Sequence, residues 1–205
     1  MTNAQLAVGE QRPGGRAARV RADVLQAAAN LLSEVGYERL TVDEVASRAG
    51  VHKTTVYRRW PSKADLISES LRAQSAQAVP IPNTGTLLSD LQEFAREIVA
   101  NIGGADGTRR SRSIVAAAAS SAELTTRLQE LWAERLVLSS VIVERAIERG
   151  EVPAETDPNL IIETLIGPLW VRLLLTGEPI DDDLALRVAE LVTAGAVARP
   201  AITPS

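Results

Sequence analysis

The chain contains no cysteine among its 205 residues, which excludes disulfides, thiolate zinc sites and cysteine nucleophiles. Its only histidine is His52, so a two-histidine metal site cannot form and any Ser-His-Asp arrangement would have to run through that one residue. There is no P-loop, no dinucleotide glycine pattern and no Glu-x-x-His pair for a carboxylate-bridged metal site in a helical bundle. The glycine cluster GGADG at 103–107 follows no strand and reads as a loop. No catalytic residue, metal or cofactor is therefore expected, and an enzyme is the weakest reading. Aromatic residues are also scarce, with one Phe, two Tyr and three Trp, so a site that stacks an aromatic ligand would be sparse and an aliphatic ligand is favoured. Long apolar runs are missing too. The most apolar stretch, Leu165 to Leu175, is shorter than the roughly 20 residues a bilayer requires and carries Arg172, so no membrane span is expected. The N-terminus has no apolar signal-peptide core, which places the protein in the cytoplasm.

A basic surplus is absent from the whole but present in one part. The net charge is −4, yet residues 1–63 hold 10 Lys plus Arg against 6 acids, while residues 64–205 hold 12 against 20. The first part is thus +4 and the second −8. Such a division suits a protein whose acidic body repels nucleic acid and whose basic end approaches it. A surplus of +4 is too small for binding by charge alone, so a nonspecific nucleoid protein is the lesser alternative and base contacts have to supply the rest.

The segment from Thr41 to Lys63, TVDEVASRAGVHKTTVYRRWPSK, carries the most information. Thr41 and Glu44 form a T-x-x-E capping box that starts a helix. Val45, Ala46 and Ala49 give it an apolar side, Gly50 stops it, and Val51 plugs the turn. From Lys53 to Trp60 the pattern is helical again, with Val56 and Trp60 directed inward and Lys53, Thr54, Thr55, Tyr57 and Arg58 outward. Pro61 ends this helix, and Ser62 with Asp65 caps a further one. Two helices about a short glycine-containing turn constitute a helix-turn-helix, whose second helix enters the DNA major groove by its N-terminal end. Lys53, Thr54, Thr55 and Arg58 are the candidate base readers, since Lys and Arg donate to guanine and Thr can touch a thymine methyl. Thr41, Tyr57 and Lys63 lie at helix ends and edges, where hydroxyl and ammonium groups suit phosphates.

Gly50, Val51, Thr55, Tyr57, Pro61, Ser62, Lys63 and Leu66 fall as in the first domain of TetR-family transcriptional regulators, and the chain resembles that family over about residues 18–78. The resemblance implies DNA contacts at Thr41, Lys53, Thr54, Thr55, Tyr57 and Lys63, and a palindromic double-stranded operator as partner. It also implies a small-molecule effector held in a second helical domain, and usually repression relieved when that effector binds. One position departs: His52 stands where the family has a capping Ser, and imidazole caps poorly, leaving His52 to reach a base or phosphate itself.

The rest of the chain reads as helix throughout, giving an all-α protein of about nine helices. The expected organisation is a flexible arm over 1–16, a DNA-binding domain over 17–78 with the helix-turn-helix at 41–60, and a regulatory and dimerisation domain over 79–205. Arg12, Arg16, Arg19 and Arg21 precede or open the first helix, and the arm could reach phosphates or a minor groove. That helix is expected over about Ala17–Glu34, ending at Gly36. A fourth runs from Ser62 toward Gln77, and VPIPNTG then breaks the pattern. Leu87, Leu91, Phe94, Ile98 and Ile102 mark a fifth, and a sixth is expected from about Thr108 to Ser120. Leu124, Leu128, Leu131, Arg135, Leu138 and Ile142 space a long seventh. Asp157 and Pro158 open an eighth, which Gly167 and Pro168 should kink; Asp181, Asp182 and Asp183 open a ninth. The last two helices carry more apolar surface than a small monomer needs, so a homodimer is expected through Ile161, Leu165, Leu169, Arg172, Leu184, Val188 and Leu191. Phe94, Trp132, Arg135 and Trp170 are the candidate effector pocket, an apolar enclosure with Arg135 or Arg172 to meet an anion.

Overall fold

The computed structural model describes residues 13–197, and over them the chain forms nine α-helices and one π turn, with no strand among the described residues. The order is α1 (Pro13–Arg39), α2 (Val42–Arg48), α3 (Lys53–Arg59), α4 (Lys63–Ala78), α5 (Leu87–Ile102), α6 (Gly104–Ala118), α7 (Ala122–Glu148), α8 (Pro158–Val171), the π turn Arg172–Thr176, and α9 (Asp182–Val197). Side-chain caps place most of the starts. Thr86 accepts from the Ser89 N–H, Ser121 from Leu124, Asp157 from Asn159 and Leu160, and Asp181 from Leu184, each satisfying an N–H that the helix leaves unpaired.

Three expectations about these elements require correction. The helix expected from Ala17 begins at Pro13, so the backbone of residues 13–16 belongs to α1, while Arg12 and the rest of the expected arm lie outside the described residues. At its far end α1 is interrupted at Gly36, whose φ of 76° lies in the left-handed region, and one more turn follows to Arg39. Second, GGADG is the first turn of α6 and not a loop. It folds back so closely on α5 that a Cβ at Gly107 would stand 2.7 Å from the Asn101 carbonyl oxygen, which is why glycine is found where helix propensity argues against it. Third, no residue at Gly167 or Pro168 leaves the helical region; the irregularity comes four residues later, where the backbone widens into the π turn.

Two hydrophobic cores result. The first is built from α1 to α4, around Leu31, Leu32, Val45, Val56, Trp60, Leu66 and Ile67, and is completed by Ile114, Ala117 and Leu124 from α6 and α7. The second gathers α5, α7, α8 and α9 around Leu91, Phe94, Ile142, Leu165, Leu169 and Ala189. Packing of α6 on α1 and of α7 on α4 joins the two. Against the expectation of no membrane span, the helical segment Pro158–Thr176 has the length and hydropathy of one. In the fold one side of it, Ile162, Leu165, Leu169 and Leu173, is buried in the protein.

Candidate nucleic-acid interface and effector cavity

The helix-turn-helix is held from within. Thr41 caps α2, its hydroxyl accepting the Glu44 N–H at 3.2 Å, while the Glu44 carboxylate turns to Arg48 at 3.3 Å. The capping box is therefore only half made. Arg48 also reaches Glu34 of α1 at 2.6 Å, fixing α2 on the long first helix. Gly50, at φ 66°, allows the Val51 N–H to return to the Ala46 carbonyl at 3.0 Å, which closes the turn. His52 occupies the N-cap of α3 in extended geometry and its ring makes no cap hydrogen bond.

Val56 and Trp60 of α3 are buried, and the Trp60 indole N–H donates to Glu69 of α4, a residue that also receives Arg21 of α1 at 2.6 Å. One carboxylate thus anchors the inward face of α3 to two other helices. On the outward face Lys53, Thr54, Tyr57 and Arg58 are exposed and Thr55 is half-exposed; Arg59 is exposed as well. Thr41 and His52 are also exposed. Lys53 rests on Asp43 at 3.1 Å, a solvent-exposed pair that is readily exchanged.

Lys63 is placed differently from the expectation. Its ammonium donates to the carbonyls of Tyr37 at 3.0 Å, Leu40 at 3.2 Å and Glu38 at 3.5 Å, and lies 4.3 Å from the centre of the Tyr37 ring. Those are the unpaired carbonyls at the end of α1, where a cation is favoured. The geometry makes Lys63 a clamp between α1 and α4.

In the second half of the chain Phe94, Trp132, Arg135 and Trp170 line one cavity of about 140 Å³ between α4, α5, α6, α7 and α8. Trp132 and Trp170 meet edge to face at 5.3 Å. The Arg135 guanidinium stands 5.4 Å from the Phe94 ring centre and donates to the Val79 carbonyl. Sequence reasoning missed further polar residues of the lining, Gln74, Asn101 and Arg110 among them. Arg110 donates through Nη2 to the backbone carbonyl of Asn101 at 2.7 Å and to its side-chain oxygen at 3.1 Å. Gln74 has the buried oxygen of its amide without a partner among the described residues. Burial lowers the pKa of Arg110, opposed by the charge of Asp106, and burial likewise lowers that of Arg135. Only the assembled fold puts Gln74, Asn101 and Arg110 beside the aromatic group; a helical reading of α4 or α6 alone gives no sign of it.

The residues expected to pair two copies divide sharply. Leu165, Leu169, Leu184 and Val188 are buried within the protomer, and Ile161 is half-buried against the same core. Arg172 donates to the Pro179 carbonyl at 2.6 Å, tying the π turn to the loop before α9 rather than reaching outward. Leu191 alone of the seven is a freely exposed apolar side chain, at 75%. Helices apolar on nearly every side hide their inward face from a periodicity argument: Leu165, Leu169 and Leu184 fall on that inward face, while Ile161, Val188 and Leu191 line a groove between α8 and α9. Exposed apolar side chains here are Leu160, Leu174, Leu175 and Leu191, of which Leu160 and Leu191 line that groove with Thr164, Pro168 and Gly195.

Residues 24–69 match the family described as bacterial regulatory proteins, tetR family, and residues 81–192 match the tetracyclin repressor-like C-terminal domain. The chain is 34% identical over 185 residues to the HTH-type transcriptional regulator AqdR of Rhodococcus erythropolis, covering 90% of this chain and 89% of that one. It is 30% identical over 179 residues to the DNA-binding transcriptional repressor TetR of Mycobacteroides abscessus, covering 82% and 89%. Among solved structures, the TetR family transcription regulator SCO0332 superposes with a TM-score of 0.76 at 30% identity, over 89% of this chain and 100% of that one. With both halves of the chain matched and a relative at 34% identity over nine-tenths of it, the chain belongs to the TetR family of helix-turn-helix transcriptional regulators, a family of DNA-binding proteins and not of enzymes.

Proposed function

We propose that this regulator is a homodimeric repressor that grips a palindromic operator through α3 of each protomer and is released when a small molecule fills the cavity between α4 and α8. In this reading Lys53, Thr54, Thr55 and Arg58 meet base edges, Thr41, His52 and Tyr57 meet the backbone, and Lys63 acts indirectly by holding α1 to α4. Residues 17–78 form the DNA-binding domain and 79–205 the regulatory one.

The observation that carries the proposal is the course of α4. It starts four residues after the last residue of the reading helix, at Lys63, and further along the same helix Leu71, Gln74 and Ser75 form part of the cavity wall. A guest that displaces those side chains displaces the helix on which the reading head rests. To carry a two-state balance from 1:99 to 99:1 it has to favour the non-binding arrangement by about 5.5 kcal/mol. The unburied apolar side of α8 and α9 supplies the second copy, so that paired heads reach successive turns of the major groove.

Selection of duplexes from a random pool, with the region upstream of the regulator's own gene included, tests the first half. The selected site should be a palindrome, and a mobility shift on it should resist competition by random DNA. Equal displacement by random DNA refutes sequence-specific recognition.

A further inference from the structure

Within the reading of the cavity as the effector site, we propose that its ligand is a small amphipathic carboxylate, with an aliphatic body in the cavity and its carboxylate on Arg110 at the opening beside the α5–α6 turn.

Three observations converge on this class. The walls around the body are mainly aliphatic, with Leu71, Ile98, Ile102, Ile114, Ile162 and Ile166 around most of the space. The aromatic rings are confined to Phe94 and the Trp132–Trp170 pair.

Next, Arg110 is half-buried with no carboxylate within 4.0 Å among the described residues, since Asp106 pairs with Arg109 instead. Its Nη2 is occupied by Asn101, which leaves Nε and Nη1 without a protein acceptor among the described residues. A guanidinium so placed offers further N–H donors in the fixed plane that suits a carboxylate. Burial disfavours its charge in the empty protein, and an incoming anion offsets that cost.

Finally, Arg110 and Asn101 also line an outer cleft of about 480 Å³ with Ala78, Gly103, Gly104 and Asp106. They stand between the inner cavity and this cleft, so a chain lying inside can keep its head at the boundary. Arg135 is held differently, against Phe94 and the Val79 carbonyl, and belongs to the wall. The buried amide end of Gln74 that lacks a partner gives a second polar point within the space, suited to a hydroxyl or amide on the body of the molecule.

The test uses the full-length protein with hexanoate, octanoate and decanoate, and with the alcohols and amines of the same chain lengths, read by calorimetry and by fluorescence of the cavity tryptophans. The carboxylates should bind about tenfold or more tighter than the alcohols, the change expected of a charge-assisted hydrogen-bonded pair, and the amines more weakly than either. Arg110→Gln should abolish the preference for carboxylate over alcohol while leaving alcohol binding in place, which also shows that the variant is folded; Arg110→Lys should keep part of it; Arg135→Gln should keep it. Equal binding of alcohol and carboxylate, a preference that survives Arg110→Gln, or no binding by any member overturns the proposal. The operator complex distinguishes this from the broader reading: if the carboxylates bind selectively but do not release DNA, the ligand class stands and repression relieved by this cavity fails.

Discussion

The Ser113 hydroxyl of α6 accepts the backbone N–H of Tyr37 at 2.7 Å, across 76 residues, at the point where Gly36 interrupts α1. A Cβ on Gly36 would lie 2.7 Å from that same oxygen. Ser113→Ala should lower stability by about 1–3 kcal/mol, because a half-buried N–H loses its acceptor. Gly36→Ala should cost at least about 1–2 kcal/mol from the left-handed backbone alone, with the clash in addition. Removing the oxygen removes the clash, so the double variant should lose less than the sum of the two single losses. Urea unfolding of the four proteins measures this; strict additivity would show that the two sites do not touch.

Neutralising Lys63 separates a clamp from a phosphate contact. Lys63→Gln should destabilise the protein by about 1–3 kcal/mol, since the last carbonyls of α1 lose their cation. Operator affinity should fall as the head loosens, while the slope of log affinity against log salt stays as in the parent. A slope smaller by about 0.9 would instead assign Lys63 to a phosphate.

Two leucines on the last pair of helices should respond in opposite ways. Leu191 is exposed, so Leu191→Glu should leave the protomer folded and shift sedimentation from dimer to monomer, with loss of operator binding. Leu165 is fully buried, so Leu165→Ala should cost about 2–5 kcal/mol in unfolding. A dimer unaffected by Leu191→Glu would move the pairing surface elsewhere.

Alkaline pH should weaken the junction of α1 with α4 through Tyr37. Burial, with lesser contributions from Glu123 and Glu38, raises its pKa above the ordinary 10.0. The folded state then holds the phenolic proton more tightly than the unfolded chain. Stability from this source is complete below about pH 10 and declines as pH rises from there toward the folded pKa. Tyr37→Phe removes that part of the alkaline decline, so unfolding free energies of the two proteins should converge above pH 10. Parallel curves would discount Tyr37.

Local chemistry was readable in the chain. The caps at Thr41, Ser62 with Asp65, and Asp157 with Pro158, and the glycine turn at Gly50, all act within four residues and stand where the sequence put them. Phe94, Trp132, Arg135 and Trp170 stand out by chemistry, as rare large side chains and a cation, and they share one cavity. What escaped detection depends on contacts between distant segments. Glycine at 107 looks like a loop former until the Asn101 carbonyl is seen against it. Lys63 looks like a surface cation until the end of α1 arrives beneath it. The inward side of α8 is hidden because both its sides are greasy, and only the packing of α5, α7 and α9 selects one.

Helix α4 is 16 residues long, a rod of roughly 24 Å, with the Lys63 clamp at one end and Gln74 toward the other. In the proposed mechanism, taste for a guest and grip on an operator are therefore written on a single piece of scaffold, and neither can drift freely without disturbing the other. Anyone retuning this sensor to a new inducer should diversify the walls contributed by α6, α7 and α8 and leave α4 alone; sensors altered along α4 will tend to come back leaky or locked.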